Sequence, residues 1–272
     1  MKSLLDKVFV VTGAGNGMGR MITLALISYG AKVAGLDISE TYLQETKALL
    51  QTNASQFHPY VIDITDETKV TDLAQTIHKD FGQIDGLVNN AGIIQPFIKV
   101  LALKRKDIDR VMQVNFYGTL HMCRAFLPFL MQQPEASLVN VSSMGGFTPV
   151  PGQAIYGASK AAVKLLTEAL YAELKGTSVR VSVVFPGAIG TNISQNSGVK
   201  MDLSKAEMEK MAKKQKTLAP EKAAAIIVKQ AIQEGRYRVL VGNDAKTLDR
   251  LSRLFPQFAT DTIAKAMKDL LK

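Results

Sequence analysis

Residues 7–19 read KVFVVTGAGNGMG, and this stretch decides the fold. Lys7–Thr12 is a continuous apolar and β-branched run, which is typical of a strand buried on both faces of a parallel sheet. Glycines follow at positions 13, 15, 17 and 19, and a helical pattern then extends to about Tyr29. Glycines let a backbone approach a phosphate closely, and a helix N-terminus offers N–H groups and a positive dipole. Strand, glycine-rich turn and helix together predict a phosphate cradle.

The rest of the chain repeats this alternation of strand and helix. Further strands are predicted at Ala31–Asp37, Pro59–Asp63, Ile84–Val88, Ser137–Val141, Val179–Phe185 and Arg238–Val241, and helices from near Ser39, at Asp66–Phe81, Asp107–Met131, Ala154–Lys175 and Pro220–Glu234. Such an order predicts an α/β fold, a doubly wound parallel sheet in one domain over residues 1–272.

Two segments depart from the alternation. Residues 192–218 are polar at first and then rich in Lys and Met, and they follow the carboxyl end of a predicted strand, so we predict a helical lid over the crevice. Residues 243–272 form a predicted C-terminal helical extension of two amphipathic helices, Asp244–Leu254 and about Gln257–Leu271.

Composition restricts the classes of function. The single cysteine, Cys123, excludes an internal disulfide, and the three histidines lack the spacing of metal ligands, so no metal is expected. No apolar run is long enough for a transmembrane segment and the first residues lack a cleavage site, so we expect a cytoplasmic protein.

Residues 200–272 hold 16 basic and 9 acidic residues. Nucleic acid or anionic lipid could explain that excess, but lysines alternating with Met and Leu favour a solvated helix face, and we expect no nucleic acid partner.

Asp37 ends the second predicted strand, 24 residues after Gly13. At this spacing a carboxylate bonds the adenosine ribose hydroxyls of a dinucleotide and would repel a 2′-phosphate. Neither Ala14 nor Ile38 offers a cation to such a phosphate, so we expect NAD(H) rather than NADP(H). The alternative is that Asp37 caps the next helix, a role that Ser39 could also fill.

Other polar segments follow predicted strands, where an open parallel sheet binds its ligands. Asp63 follows the third strand and could reach an adenine edge, and Asn89-Asn90-Ala91-Gly92 follows the fourth. On local grounds an Asn-rich turn explains the latter equally well. Pro186-Gly187-Ala188-Ile189-Gly190-Thr191 follows the sixth strand.

Residues 141–162, VSSMGGFTPVPGQAIYGASKAA, bring a hydroxyl-bearing loop before a helix. Tyr156 and Lys160 are four residues apart, so they lie on one helix face, and a nearby ammonium would lower the pKa of the phenol. Tyr156 could then exchange a proton with an alcohol or carbonyl oxygen that Ser143 holds. Alone, this spacing is more often a plain helix surface.

Asn115 lies inside a predicted helix, where its side chain competes with backbone hydrogen bonds and is mildly unfavourable. Its placement there suggests a polar role, such as positioning a water.

Together these motifs resemble the short-chain dehydrogenase/reductase family, in its common short form, over about residues 5–242. The resemblance rests on Thr12–Gly19, Asp63, Asn89–Gly92, Asn115, Ser143, Tyr156 with Lys160, and Pro186–Thr191. It implies a Rossmann-type fold and a catalytic tetrad. Tyr156 would be the acid/base, Ser143 would hold the substrate oxygen, Lys160 would depress the Tyr156 pKa and bond the nicotinamide ribose, and Asn115 would hold a relay water.

The resemblance also implies the lining of the two binding sites. The expected cofactor residues are Gly13, Asn16, Gly17, Met18, Gly19, Asp37, Asp63, Ile64, Asn90, Ala91, Gly92, Tyr156, Lys160, Pro186, Gly187, Ile189 and Thr191. The expected substrate residues are Ser143, Tyr156, Ile94, Phe97, Met144 and Phe147, in an apolar wall with Pro96, Val150, Ile189 and the lid.

We therefore expect an NAD-dependent oxidoreductase that interconverts a secondary alcohol and a ketone, with a lipophilic, steroid-like or acyl substrate. The alternatives are a 3-ketoacyl carrier-protein reductase and a non-catalytic nucleotide- or lipid-binding scaffold. Two features depart from the family pattern: Gly190 replaces a β-branched residue, which would loosen that turn, and the C-terminal extension is long. We expect a homo-oligomer, a dimer or the homotetramer usual in the family. The extension would alter the oligomer, cover the pocket or touch a membrane surface, and of these a subunit contact is favoured.

Overall fold

The computed structural model describes residues 1–199 and 217–267. Seven strands pair in parallel in the order β3-β2-β1-β4-β5-β6-β7. The strands are β1 Val8–Thr12, β2 Lys32–Asp37, β3 Phe57–Val61, β4 Gly86–Asn89, β5 Ala136–Val141, β6 Val179–Pro186 and β7 Arg238–Val241. The order reverses between β1 and β4, which opens a crevice at the carboxyl ends of these strands.

Helices cover both faces of the sheet. They are α1 Gly17–Ser28, α2 Glu40–Leu49, α3 Glu67–Phe81, α4 Arg105–Met112, α5 Thr119–Leu130, α6 Ala154–Glu173, α7 Ile193–Asn196, α8 Pro220–Ile227, α9 Asn243–Leu254 and α10 Pro256–Ala266. π-helical turns extend α4 over Gln113–Gly118 and α8 over Val228–Gln233.

The hydrophobic core forms two layers because β1 is buried on both faces. Phe9 and Val11 point to one side and pack in a cluster with residues of α1 and α8, while Val10 points to the other side and joins residues of α3 and α5. All five residues of β1 are buried, as its continuous apolar run predicts. The predicted doubly wound α/β fold is confirmed.

Some predicted boundaries are wrong by a few residues. The third strand begins at Phe57 rather than Pro59, because pairing with β2 matches Val33 to Phe57 and Asp37 to Val61. Pro59 is tolerated inside β3 because that strand lies at the edge of the sheet. The fourth strand begins at Gly86 rather than Ile84. The long helix predicted over residues 107–131 is interrupted by its π-helical turn.

The C-terminal extension is anchored on β7 through one arginine. Arg238 donates to Asp249 of α9 at 2.6 Å and to Glu168 of α6 at 3.3 Å, and its guanidinium lies 4.2 Å from the ring centroid of Phe185. The structure describes the extension as far as Met267. Residues 200–216, which form most of the predicted lid, lie outside the described residues. Across the described ranges, no helix combines the length and apolarity needed to cross a membrane.

Candidate active site

A cleft of about 760 Å³ opens at the carboxyl ends of the central strands. Most of the site residues predicted from the sequence line it: Gly13, Asn16, Gly17, Met18, Asp37, Asp63, Ile64, Asn90, Ala91, Gly92, Ser143, Tyr156, Lys160, Pro186, Gly187, Ile189 and Thr191. These residues come from the ends of six strands, β1 to β6, and from α6, so the sheet brings them together although they span 179 positions, from residue 13 to residue 191.

The glycine-rich loop requires glycine for two reasons, a left-handed backbone at Gly13 and Gly17 and a close backbone approach at Gly19. Gly13 adopts a φ of 68°, in the left-handed region, and Gly17 a φ of 53°. A Cβ on Gly19 would lie 2.0 Å from the Gly13 carbonyl oxygen, so Gly19 packs beneath the loop and is not part of the cleft lining described above. Asn16 precedes α1, and its side chain accepts a hydrogen bond from the Gly17 N–H. The loop thus presents free backbone at a helix N-terminus, which suits a phosphate.

Asp37 is held in the cleft and does not cap α2. Its Oδ2 accepts from the Gly15 N–H at 3.0 Å and its Oδ1 from the Ser39 N–H at 3.0 Å, while the Ser39 hydroxyl caps α2 by accepting from the Tyr42 N–H. Each carboxylate oxygen can accept more than one hydrogen bond, so both remain able to take hydroxyl donors. Gly15 must be glycine here, since a Cβ would lie 2.8 Å from Asp37 Oδ2.

The segment after β4 is fastened to the end of β1 by Thr12. The Thr12 hydroxyl accepts from the N–H groups of Asn90 and Ala91, both at 3.0 Å, and the Asn90 amide donates to the Thr12 carbonyl at 3.1 Å. These bonds show that Asn90 has a fixed place in the crevice and is more than a loose turn.

Tyr156 lies in the first turn of α6, with its side chain in the cleft beside Ser143. Burial raises the pKa of the Tyr156 phenol, and a hydrogen bond with Ser143 acts in the opposite direction. Lys160 is not among the causes of this shift, so its expected depression of the Tyr156 pKa stays a prediction, and the net direction is upward. The physical reason is that removal of water from a phenolate costs more here than the neighbouring hydroxyl returns.

Lys160 is buried, one helical turn after Tyr156, and donates from Nζ to the Val141 carbonyl at 3.0 Å. Burial lowers the pKa of Lys160 to about 8. A Cβ on Gly92 would lie 3.0 Å from this Nζ and 3.3 Å from Asn115 Oδ1, so the ammonium and the amide both lie close to Gly92. The missing side chain of Gly92 therefore leaves room for Lys160 and Asn115 beside the segment after β4.

Asn115 is buried in the π-helical turn between α4 and α5. Its Oδ1 accepts from the Ile93 N–H at 2.8 Å, and its Nδ2 donates to the Ile93 carbonyl at 2.9 Å and to the Ser159 hydroxyl at 2.9 Å. The side chain thus joins the segment after β4 to α6. The predicted polar task of this residue includes holding backbone in place.

Gln95 is a site residue that sequence reasoning missed. Its buried Oε1 accepts from the N–H groups of Ile155 at 2.8 Å and Tyr156 at 3.2 Å, and its Nε2 donates to the Gly152 carbonyl at 3.0 Å. Gln153 occupies the N-cap position of α6, but its side chain makes no capping bond. Gln95 therefore caps α6 from a loop about 60 residues away in the chain, and no local signal marks it.

Asp244 is a second missed residue, at the start of α9. Its Oδ2 accepts from the Ala188 N–H at 2.6 Å, and a Cβ on Gly187 would lie 2.1 Å from its Oδ1. The extension thus fastens the loop after β6. The Gly190 N–H donates to the Leu218 carbonyl at 3.0 Å, and the expected loosening of this loop stays a prediction.

The predicted apolar substrate wall stays a prediction. Among the residues that the structure describes, the cleft lining does not include Ile94, Phe97, Met144 or Phe147. Phe147 instead packs edge-on against Phe185, with ring centroids 5.3 Å apart, on the side where Arg238 anchors the extension. Ile94 is buried and donates its N–H to the Ser197 hydroxyl. Periodicity shows that a residue is apolar, but the packing of the loop decides which side it takes.

The start of the predicted lid lies across the cleft. Ile193, Gln195 and Asn196 line it, and Ser197 is fixed by the Ile94 N–H and by Arg110, whose Nη1 donates to the Ser197 carbonyl at 3.0 Å. A parallel bridge between Ile189 and Leu218 joins the two ends of this segment. The segment therefore leaves the sheet beside the cleft and returns to the same point.

The residues present fit a nicotinamide dinucleotide. The glycine loop offers a phosphate site without side chains, Asp37 offers two oxygens to ribose hydroxyls, and Tyr156 with Lys160 offers a phenol and an ammonium in the same cleft. Such a set can hold a hydroxylated, doubly charged anion and exchange a proton with an oxygen near Tyr156.

Comparison with known proteins agrees with this geometry. The family model for short chain dehydrogenases matches residues 7–202. The oxidoreductase SadH of Mycobacterium tuberculosis is 35% identical over 257 residues, covering 93% of this chain and 92% of that protein. The 3-oxoacyl-[acyl-carrier-protein] reductase FabG of Thermotoga maritima is 34% identical over 237 residues, covering 86% of this chain and 94% of its own length.

Solved structures are also similar over nearly the whole chain. A short chain dehydrogenase/reductase from Burkholderia phymatum in complex with NAD superposes with a TM-score of 0.84 at 28% identity, covering 95% of this chain and 96% of that one. A short chain dehydrogenase from Burkholderia cenocepacia in complex with NADP gives 0.77 at 29% identity, covering 96% and 98%. Similar structures thus hold either nicotinamide cofactor.

Proposed function

This chain belongs to the short-chain dehydrogenase family, and from that premise we propose that it is an NAD(H)-dependent enzyme interconverting a secondary alcohol and a ketone. Membership supports an oxidoreductase that acts on CH–OH or carbonyl groups with a nicotinamide cofactor. The observation that carries the finer proposal is that Asp37 and the Ser143–Tyr156–Lys160 group line the same cleft.

The side chains divide the proton chemistry among them. Hydride transfer is the chemistry that a nicotinamide cofactor would supply in this cleft. Tyr156 takes the proton of the alcohol, or returns it to the carbonyl oxygen, and Ser143 holds that oxygen by hydrogen bonding. Lys160, with a pKa of about 8, carries its proton at neutral pH, and its positive charge favours the phenolate over the neutral phenol. Asn115 fixes the Ile93 backbone and keeps a lone pair for a relay water.

Asp37 supports NAD(H) over NADP(H). Its carboxylate is oriented by two backbone N–H groups and faces the cleft, where a 2′-phosphate would meet a negative charge instead of a cation. The first experiment is fluorescence titration of NADH and NADPH into the wild-type chain and Asp37→Ala. We expect a preference for NADH that Asp37→Ala removes. A preference for NADPH in the wild-type chain would contradict the proposal.

Turnover tests the role of Tyr156. We expect Tyr156→Phe to bind NADH as well as the wild-type chain but to oxidise secondary alcohols at least about 100-fold more slowly, as loss of a general acid/base predicts. The matched control is Tyr171→Phe, which changes the same residue type on the same helix outside the cleft. Full turnover by Tyr156→Phe would contradict the proposed role of Tyr156 as the acid/base.

We propose a lipophilic substrate because the apolar side chains of Ile93, Ile189 and Ile193 line the cleft. A second candidate, reduction of a 3-ketoacyl thioester on a carrier protein, is favoured by the similarity to the Thermotoga maritima reductase. Comparing initial rates on a steroid-like secondary alcohol, a medium-chain acyl alcohol and a 3-ketoacyl thioester distinguishes them. The thioester being the best substrate would replace the first candidate by the second.

A homo-oligomer, a dimer or a tetramer, belongs to the same proposal. Leu165 and Tyr171 are exposed on α6 with side chains suited to a subunit contact. Light scattering of the purified chain tests the oligomer, and a monomer at micromolar concentration would contradict it. The expected cytoplasmic location stays a prediction.

A further inference from the structure

The junction of the two C-terminal helices carries an exposed apolar cluster. Leu254, Phe255 and Phe258 are 72%, 60% and 63% exposed, at the end of α9 and the first turn of α10. We call these three residues the apolar tip. Large apolar side chains exposed side by side mark an interaction surface more often than scattered single ones do. The apolar tip is therefore a surface that the folded chain leaves without a cover among its described residues.

Cations follow the outer face of α9 towards the apolar tip. Lys246, Arg250 and Arg253 are exposed and recur at helical spacing along one face. The acidic residues of the same helix are used elsewhere: Asp249 is buried with Arg238, and Asp244 accepts from the Ala188 N–H. Arg253 Nε also forms an ion pair with Asp249 Oδ2 at 3.2 Å, but the Arg253 side chain stays 57% exposed. The face next to the apolar tip is thus positive.

This charge distribution selects the occupant. In a two-fold contact the surface would meet its own copy, and three cations would face three cations, which is unfavourable. An anionic surface complements the face, and an apolar tip at a helix junction, flanked by basic residues, has the composition of segments that enter the headgroup layer of a bilayer. We propose that the apolar tip and the basic face of α9 dock this protein on an anionic membrane surface. This replaces the subunit contact that sequence analysis favoured for the extension.

The anchoring of the extension makes such docking compatible with a folded active site. Arg238 and Asp244 hold α9 against β7 and the loop after β6, so contact at the apolar tip needs no movement of the cleft. The proposal goes beyond the proposed enzyme activity, and vesicle binding is measured without a substrate. Either one can fail without the other.

Vesicle flotation of the full chain tests the proposal, with phosphatidylcholine vesicles and with vesicles that also contain phosphatidylglycerol. We expect binding to the anionic vesicles alone, and loss of it at high salt, because each exposed cation contributes about fivefold to the partition constant at low salt. The double variant Phe255→Ser/Phe258→Ser should bind at least about tenfold more weakly, because two aromatic rings no longer leave water. Lys246→Gln/Arg250→Gln should weaken binding about 25-fold.

The matched control is Leu49→Ser, which removes a 54% exposed apolar residue from α2, beside the opposite edge of the sheet. It should bind vesicles as the wild-type chain does. Thermal unfolding with and without NADH confirms that each variant is folded. Failure of the wild-type chain to bind anionic vesicles would overturn the proposal. A dimer in light scattering that Phe255→Ser/Phe258→Ser converts to a monomer would overturn it in favour of a second copy of this chain.

Discussion

Replacing Gln95 by Leu should damage the N-terminus of α6, although Gln95 itself does not line the cleft. The change removes the acceptor of the Ile155 and Tyr156 N–H groups and the donor to the Gly152 carbonyl. A buried polar group without a partner costs about 1–3 kcal/mol, and loss of a helix cap typically costs about 1 kcal/mol. Partial relaxation reduces the sum, so we expect a loss of about 3 kcal/mol in the free energy of unfolding. In a chain of this size that lowers the melting temperature by about 6–12 °C.

Turnover should fall more than stability alone explains, because Tyr156 donates its own N–H to Gln95. A displacement of about 1 Å in a catalytic group can cost about 100-fold in rate, so we expect kcat to fall at least about tenfold while the KM for NAD+ stays within about twofold. Gln95→Glu keeps the acceptor oxygens at the helix N-terminus, where a carboxylate is favourable, and should restore most of the turnover.

Gln153→Leu is the matched control. Gln153 is also buried, and its Nε2 donates to the Gln95 carbonyl at 2.8 Å, but its side chain makes no bond to the α6 backbone. We expect a loss of about 1 kcal/mol and unchanged kcat. The assays are urea unfolding, steady-state kinetics and hydrogen exchange of the Ile155 and Tyr156 amides. Equal losses in the two Leu variants, or unchanged exchange at those amides, would refute the assignment of Gln95.

Two further predictions concern buried charges. Because the pKa of Lys160 falls to about 8 on folding, the unfolded chain binds more protons above that pH; stability in urea should therefore rise by about 2 kcal/mol from pH 7 to 9.5, and Lys160→Met should remove the rise. Beyond pH 10 the raised Tyr156 pKa gives the opposite slope. Arg238→Met should cost about 3 kcal/mol by leaving the buried Asp249 with Arg253 as its remaining partner, whereas Arg236→Met, in an exposed pair, should cost less than about 1 kcal/mol. A flat pH profile in the wild-type chain, or equal losses in the two Arg variants, would contradict these assignments.

The parts of the site that were predictable are those whose signal is local. The glycine loop after β1 and the four-residue spacing of Tyr156 and Lys160 depend only on residues that are close in the sequence. Sequence patterns over such short windows predict them directly. Asp37 was predictable because it ends a strand whose direction the glycine loop had already set. The catalytic residues themselves stay a proposal, but their convergence on one cleft is what the doubly wound topology requires.

The direction of the Tyr156 pKa shift was not predictable from spacing. Lys160 lies one turn away, as expected, but its Nζ donates to the Val141 carbonyl, and burial acts on both groups. Sequence shows which charges are near one another along a helix. It does not show how much water the surrounding strands remove, and desolvation sets the sign here.

What the sequence by itself determined is the order of strands and helices, the phosphate cradle and the candidate proton-transfer pair, since each follows from residue type and short-range period. Only the tertiary structure decided that Gln95 caps α6, that Asp244 of the extension fastens the loop after β6, and that Phe147 packs towards Arg238 rather than into the cleft. These contacts join residues far apart in the chain. Their partners are chosen by the register and packing of the sheet, which no local pattern encodes.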